Sequence, residues 1–116
     1  MKLKLGHRSI FNCLELAAER NELIHTTRKQ FKIGKTTALV EFARLNDYTI
    51  LTSNNGAAKI IHERFGYKKA VTINKKCTDG ISNVVIEERC TLEEIDRIKA
   101  KGINVVTGFL FDDSVF

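Results

Sequence analysis

Three consecutive residues, Gly34-Lys35-Thr36, combine side chains that could grip a phosphate. Glycine lets the backbone approach an anion, lysine neutralises charge and a hydroxyl can ligate Mg²⁺, while the first N–H groups of a following helix face the same oxygens. The flanking residues suit that use. Leu23-Ile24-His25-Thr26-Thr27 reads as a strand leading into a basic loop with Arg28, Lys29 and Lys32, and the segment after Gly34 reads as a helix to about Leu45. Lys32, Ile33, Gly34, Lys35, Thr36 and Thr37 are therefore the expected nucleotide-cradling residues. A second group lies where the apolar run Val84-Val85-Ile86 ends in Glu87-Glu88. Phosphoryl chemistry needs a carboxylate near Mg²⁺ and a group that orients or deprotonates the nucleophile. Thr36 and Glu87 are the candidates for the metal, Lys35 and Glu88 for catalysis.

The string Lys29-Gln30-Phe31-Lys32-Ile33-Gly34-Lys35-Thr36 resembles the Walker A motif of P-loop NTPases, GxxxxGK followed by Ser or Thr, in its last three positions. Lys29 stands where that motif has its leading glycine. Arg28 and Gln30 are similar to loop residues of viral terminase-type ATPases, which also tolerate the missing glycine. Val84 to Glu88 resembles a Walker B segment, with Glu87 in the place of the usual Asp. Gly108, Phe109 and Asp112 are similar to the Gly-apolar-x-x-Asp pattern of type II thymidine kinases.

These resemblances imply a minimal P-loop NTPase-like domain that takes a nucleoside triphosphate, ATP first, with Mg²⁺, and has hydrolysis as its candidate activity. Two alternatives stay open. One is a non-hydrolysing, nucleic-acid-associated accessory protein, indicated by Lys29 in place of glycine and by Lys68, Lys69, Lys75 and Lys76. The other is a nucleoside kinase-like phosphotransferase. The terminase-like loop also brings a viral origin into view. Thr107 is either a γ-phosphate sensor or a strand residue with a satisfied hydroxyl, and Arg89 and Arg97 are candidates for a transition-state arginine, supplied within the chain or to a neighbour in a homo-oligomer.

Size and composition narrow the classes. A chain of 116 residues with 43% hydrophobic and 28% charged residues is expected to form one globular domain, 1–116. No apolar run approaches the roughly 20 residues of a membrane span, and Gly6-His7-Arg8 soon interrupts the opening Met1-Lys2-Leu3-Lys4-Leu5, so a cytoplasmic protein is expected. Cys13, Cys77 and Cys90 are odd in number and lack CxxC spacing, which reads as free thiols rather than a disulfide framework or zinc site. The three histidines, His7, His25 and His62, are too scattered for a metal cluster. Of the formal net charge of +5, the whole excess lies in residues 1–60, with ten Lys/Arg against five Asp/Glu. Such a field suits a triphosphate and equally a nucleic-acid backbone.

The elements that must position these residues alternate. A helix is expected from Ile10 to about Arg20 behind Ser9, with Ile10, Leu14, Ala17 and Ala18 on one face. Ala38, Leu39, Phe42, Ala43 and Leu45 form the apolar stripe of the helix after the phosphate loop. A strand at 48–52 leads through Ser53-Asn54-Asn55-Gly56 into a helix that carries Ala57, Ala58, Ile60, Ile61 and Phe65 and stops at Gly66. Strands follow at 70–73 and 83–86, separated by a polar loop with a turn at Asp79-Gly80. Thr91 and Glu94 have capping-box spacing for a helix that ends at Gly102, and a fifth strand lies within 103–111. Short β-branched strands alternating with helices predict a three-layer α/β sandwich on a mainly parallel five-stranded sheet.

Overall fold

A computed structural model describes residues 10–26, 35–73 and 82–111. In chain order the elements are α1 (Ile10–Glu19), β1 (Ile24–Thr26), α2 (Lys35–Asn46), β2 (Thr49–Thr52), α3 (Asn55–Phe65), β3 (Ala70–Thr72), β4 (Asn83–Ile86), α4 (Leu92–Ala100) and β5 (Asn104–Phe111). The five strands form one sheet in the order β1-β5-β4-β2-β3. Every neighbouring pair is parallel. The expected α/β sandwich is thus present, and its sheet is wholly rather than mainly parallel.

Local chemistry explains most of the boundaries. Asn54 is extended and accepts from the Ala57 N–H at 2.8 Å, satisfying a donor at the start of α3, and Gly66 ends that helix in the left-handed region at φ 64°. Thr91 and Glu94 form the expected capping box: the Glu94 N–H donates to the Thr91 hydroxyl at 3.2 Å, and the Thr91 N–H donates to the Glu94 carboxylate at 3.0 Å. Apolar spacing then decides which faces are buried. Leu14 and Ala17 of α1, Leu39 and Phe42 of α2, and Ala58 and Ile61 of α3 pack with Ile24, Ile50, Val85 and Phe109 on one face of the sheet. Ile95 and Ile98 of α4 pack with Leu51, Val84, Ile86 and Val105 on the other. Leu45 departs from the expected stripe: it is 74% exposed. Val40, at 2% exposed, is buried instead, so the inward face of α2 is rotated from the one the spacing implied.

One glycine is dictated by a close approach. The β4–β5 register slips between Val84 and Val85, which face Val105 and Thr107, so Val106 is an extra residue in β5. Such a bulge bends and re-aims its strand. Beyond it Gly108 pairs with Ile86 at φ 154°, and a Cβ there would lie 2.4 Å from the Ile86 carbonyl oxygen and 2.5 Å from its nitrogen. Only a residue without a side chain fits.

Candidate functional site

Parallel strands place all their C-terminal ends on one edge of the sheet. α2 begins at that edge after β1, α3 begins there after β2, and the chain turns there after β4. The connection leaving β2 carries α3 over one face, whereas the connection leaving β4 carries α4 over the other. Neighbouring strands whose connections diverge open a crevice between them, and open α/β sheets bind ligands there. The two glutamates expected to act lie at this crevice.

The turn after β4 is built by its backbone. The Glu87 N–H extends the ladder by donating to the Leu51 carbonyl at 3.0 Å, and the Cys90 N–H closes the turn on the Glu87 carbonyl at 3.1 Å. Glu87 then folds its carboxylate back to accept from the Arg89 N–H at 3.1 Å, leaving Glu88 at the corner. Glu88 turns toward α2 and forms an ion pair with Lys35, the first residue of that helix. The Lys35 side chain is 3% exposed and that of Glu88 13% exposed. Two residues expected to act together, 53 positions apart in sequence, are therefore in direct contact.

Beside that pair is a recess of about 60 Å³ lined by Thr36 from α2, Ala57, Ile60 and Ile61 from α3, and Glu87 and Arg89 from the turn. Thr36 and Glu87, the expected metal pair, thus share one cavity wall. One hydroxyl and one carboxylate suit Mg²⁺, which keeps several waters and binds through few protein oxygens plus phosphate. Ile60, one of the apolar residues of α3, is 43% exposed and lines this recess. Arg89 reaches Glu87 at 3.9 Å from its Nε, whereas Arg97 lies on α4 over the opposite face. Of the two candidate arginines, Arg89 alone lines the recess. Thr37 is exposed on the first turn of α2, and Lys32, Ile33 and Gly34 lie outside the described residues.

Burial raises the Glu87 pKa above the ordinary carboxyl value; the Arg89 N–H and guanidinium oppose the shift, the Glu88 charge adds to it, and Lys35 lowers it. Between the unfolded and the raised folded value, the native state holds a proton that the unfolded chain has released. Stability therefore falls as pH rises through that window. Glu87→Gln, which cannot ionise, is expected to flatten the decline of the urea midpoint from pH 4.5 upward. An unchanged slope would place the burial penalty on another group. Cys90 next to it is pushed up to about 12, chiefly by burial and further by the charges of Glu87 and Glu94, so it is a neutral, unreactive thiol.

Other sequence candidates fall elsewhere. The Thr107 hydroxyl donates to the Glu22 carbonyl at 2.8 Å, in the middle of β5 and away from the C-terminal edge, which settles it as a strand residue with a satisfied hydroxyl. His62 bonds the Ala70 carbonyl at 2.8 Å, tying α3 to β3. Lys69 pairs with Asp47 at 2.6 Å, and Lys75 and Lys76 lie outside the described residues. Among the described residues, no helix is long and apolar enough to cross a membrane. Searches of family models, curated proteins and solved structures find no match to this chain.

Proposed function

We propose that this domain binds a nucleoside triphosphate at the C-terminal edge of its sheet and belongs to the P-loop type of Mg²⁺-dependent nucleotide hydrolases. The observation that carries this reading is the contact between Lys35, at the N-terminus of α2, and Glu88, just past β4. A buried ammonium at a helix N-terminus supports the reading, because the first N–H groups of the helix and the lysine charge both favour an anion there. Lys35 would neutralise the terminal phosphates, Thr36 and Glu87 would hold Mg²⁺, and Glu88 would accept a proton from the attacking water. Mg²⁺, when bound, supplies charge neutralisation at the phosphate oxygens. Arg89, at the rim of the recess, is the arginine best placed to meet charge that develops on the transferring phosphate.

The test is calorimetric titration with ATP and GTP in Mg²⁺, followed by phosphate release. The wild-type chain is expected to bind a triphosphate and to release phosphate, and Lys35→Ala to lower release by 100-fold or more, on the order seen when one preorganised charge-stabilising group is removed. Equal release by both proteins would remove hydrolysis. Absence of triphosphate binding by the wild type would remove the reading altogether and leave the nucleic-acid-associated alternative. That alternative is read by a salt titration, in which backbone contact weakens steeply as salt rises.

A further inference from the structure

We propose that Asn55 is a site of self-modification, where the folded chain converts its own side-chain amide to a carboxylate through attack by the Gly56 nitrogen. Asn55-Gly56 is the one Asn-Gly step in the sequence. It opens α3 at the C-terminal edge of the sheet, and both residues are exposed. The Gly56 N–H lies in the first turn of the helix, where no intrahelical carbonyl reaches it, and among the described residues it has no other acceptor. Asn54, the cap, gives its side-chain oxygen to the Ala57 N–H at 2.8 Å instead. The Thr72 hydroxyl, on a residue 7% exposed, donates to Asn55 Oδ1 at 2.7 Å. A free nucleophile and a positioned donor thus flank one amide carbon.

The Gly56 nitrogen, once it yields its proton to hydroxide, attacks Cγ of Asn55, and the C=O electron pair moves onto Oδ1. Negative charge therefore develops on the oxygen that Thr72 already holds, and the helix N-terminus favours it too. The tetrahedral carbon then expels the amide nitrogen, which takes a proton from water and leaves as ammonia, closing a five-membered imide. Water opens that ring. Cleavage of the new Cγ–N bond restores the ordinary main chain with an aspartate side chain, whereas cleavage of the Asn55 C–N bond leaves the chain routed through the side chain. Either way one water is consumed, one ammonia is released and no oxidation state changes. Glycine matters twice: no Cβ shields its nitrogen, and it weakens the first turn by about 1 kcal/mol relative to alanine. A frayed first turn lets the nitrogen swing onto Cγ while Oδ1 stays on Thr72. The aspartate product suits the helix dipole, but the rerouted chain gains a backbone carbon beside Asn54 and disrupts the cap.

The experiment incubates the full chain in mildly alkaline buffer, folded and in urea, and follows ammonia release and the products at position 55 by peptide mass mapping. Thr72→Val, Thr72→Ser and Gly56→Ala are run alongside. The folded wild type is expected to convert Asn55 within the time the unfolded chain does, while Asn21, Asn83 and Asn104 stay intact. Thr72→Val should slow the folded reaction roughly 10-fold by removing the donor, and should leave the rate in urea unchanged. Thr72→Ser keeps the hydroxyl and should keep the rate. Gly56→Ala, whose methyl would meet only the Asn54 side-chain oxygen at 3.3 Å, should fold and slow the reaction by shielding the nitrogen. Asn55 left intact in the folded wild type while the unfolded chain converts overturns the proposal, and so does an equal rate in folded Thr72→Val. If Thr72→Val does not fold, the folded wild type against its own unfolded chain decides. None of these outcomes depends on nucleotide binding.

Discussion

Gly108→Ala should cost about 3 kcal/mol or more of folding stability, at the upper end for overpacked sites. The added methyl would sit 2.4 Å from the Ile86 oxygen and 2.5 Å from its nitrogen, and neither is the movable end of a flexible side chain. Relief requires β4 and β5 to part, and these strands are the second and third of five in the sheet. Parting them would separate β1 from the β4 turn that carries Glu87 and Glu88. Since a domain of this size holds only about 5–15 kcal/mol in total, the loss should appear as a large drop in urea midpoint. A midpoint unchanged by the substitution would show that the strands do not approach as closely as described.

Glu88→Ala should also destabilise the unliganded protein, by about 3 kcal/mol, because it takes the carboxylate away from an ammonium that is 3% exposed. Removing one member of a buried pair costs more than the pair is worth, since the remaining charge stays desolvated. A double-mutant cycle with Lys35→Ala separates the two contributions. The double variant is expected to be more stable than the sum of the single losses predicts, with a coupling of about 1–3 kcal/mol, the range for residues in direct contact. Additive losses would mean that the two side chains do not share their charges in solution. High phosphate should partly rescue Glu88→Ala and leave Lys35→Ala unaffected, which ties the stability effect to anion binding at the same ammonium.

Sequence by itself determined the elements and the class. Gly66 and the Thr91–Glu94 box mark helix ends because capping is local in the chain, and the structure has both, whereas the expected turn at 53–56 is shorter, with Asn54 as the cap and Asn55 already in α3. The short β-branched strands expected at 48–52, 70–73 and 83–86, each within one residue of the observed bounds and alternating with helices, made a parallel sheet legible because these patterns are local. The acidic pair after β4 was legible as chemistry for the same reason: an apolar strand that ends in two carboxylates must deliver them to the edge of the sheet.

Tertiary structure alone decided where those residues meet. No local pattern says that β5, the last strand, inserts between β1 and β4, since that order follows from side chains packing across more than 80 positions of chain, as Ile24 does against Phe109. The same long-range packing turned Leu45 outward, drew Ile60 to the rim of the recess and gave the Thr107 hydroxyl to Glu22. It also made Gly108 indispensable through the backbone of Ile86 rather than through any ligand. The Lys35–Glu88 pair is of this kind: each residue's type was visible in the sequence, but its burial and its partner depend on two elements folding to one edge of the sheet. Charge type is a property of a residue, whereas the strength of a charge interaction is set by the distance and the solvent around it, and only the folded chain supplies both.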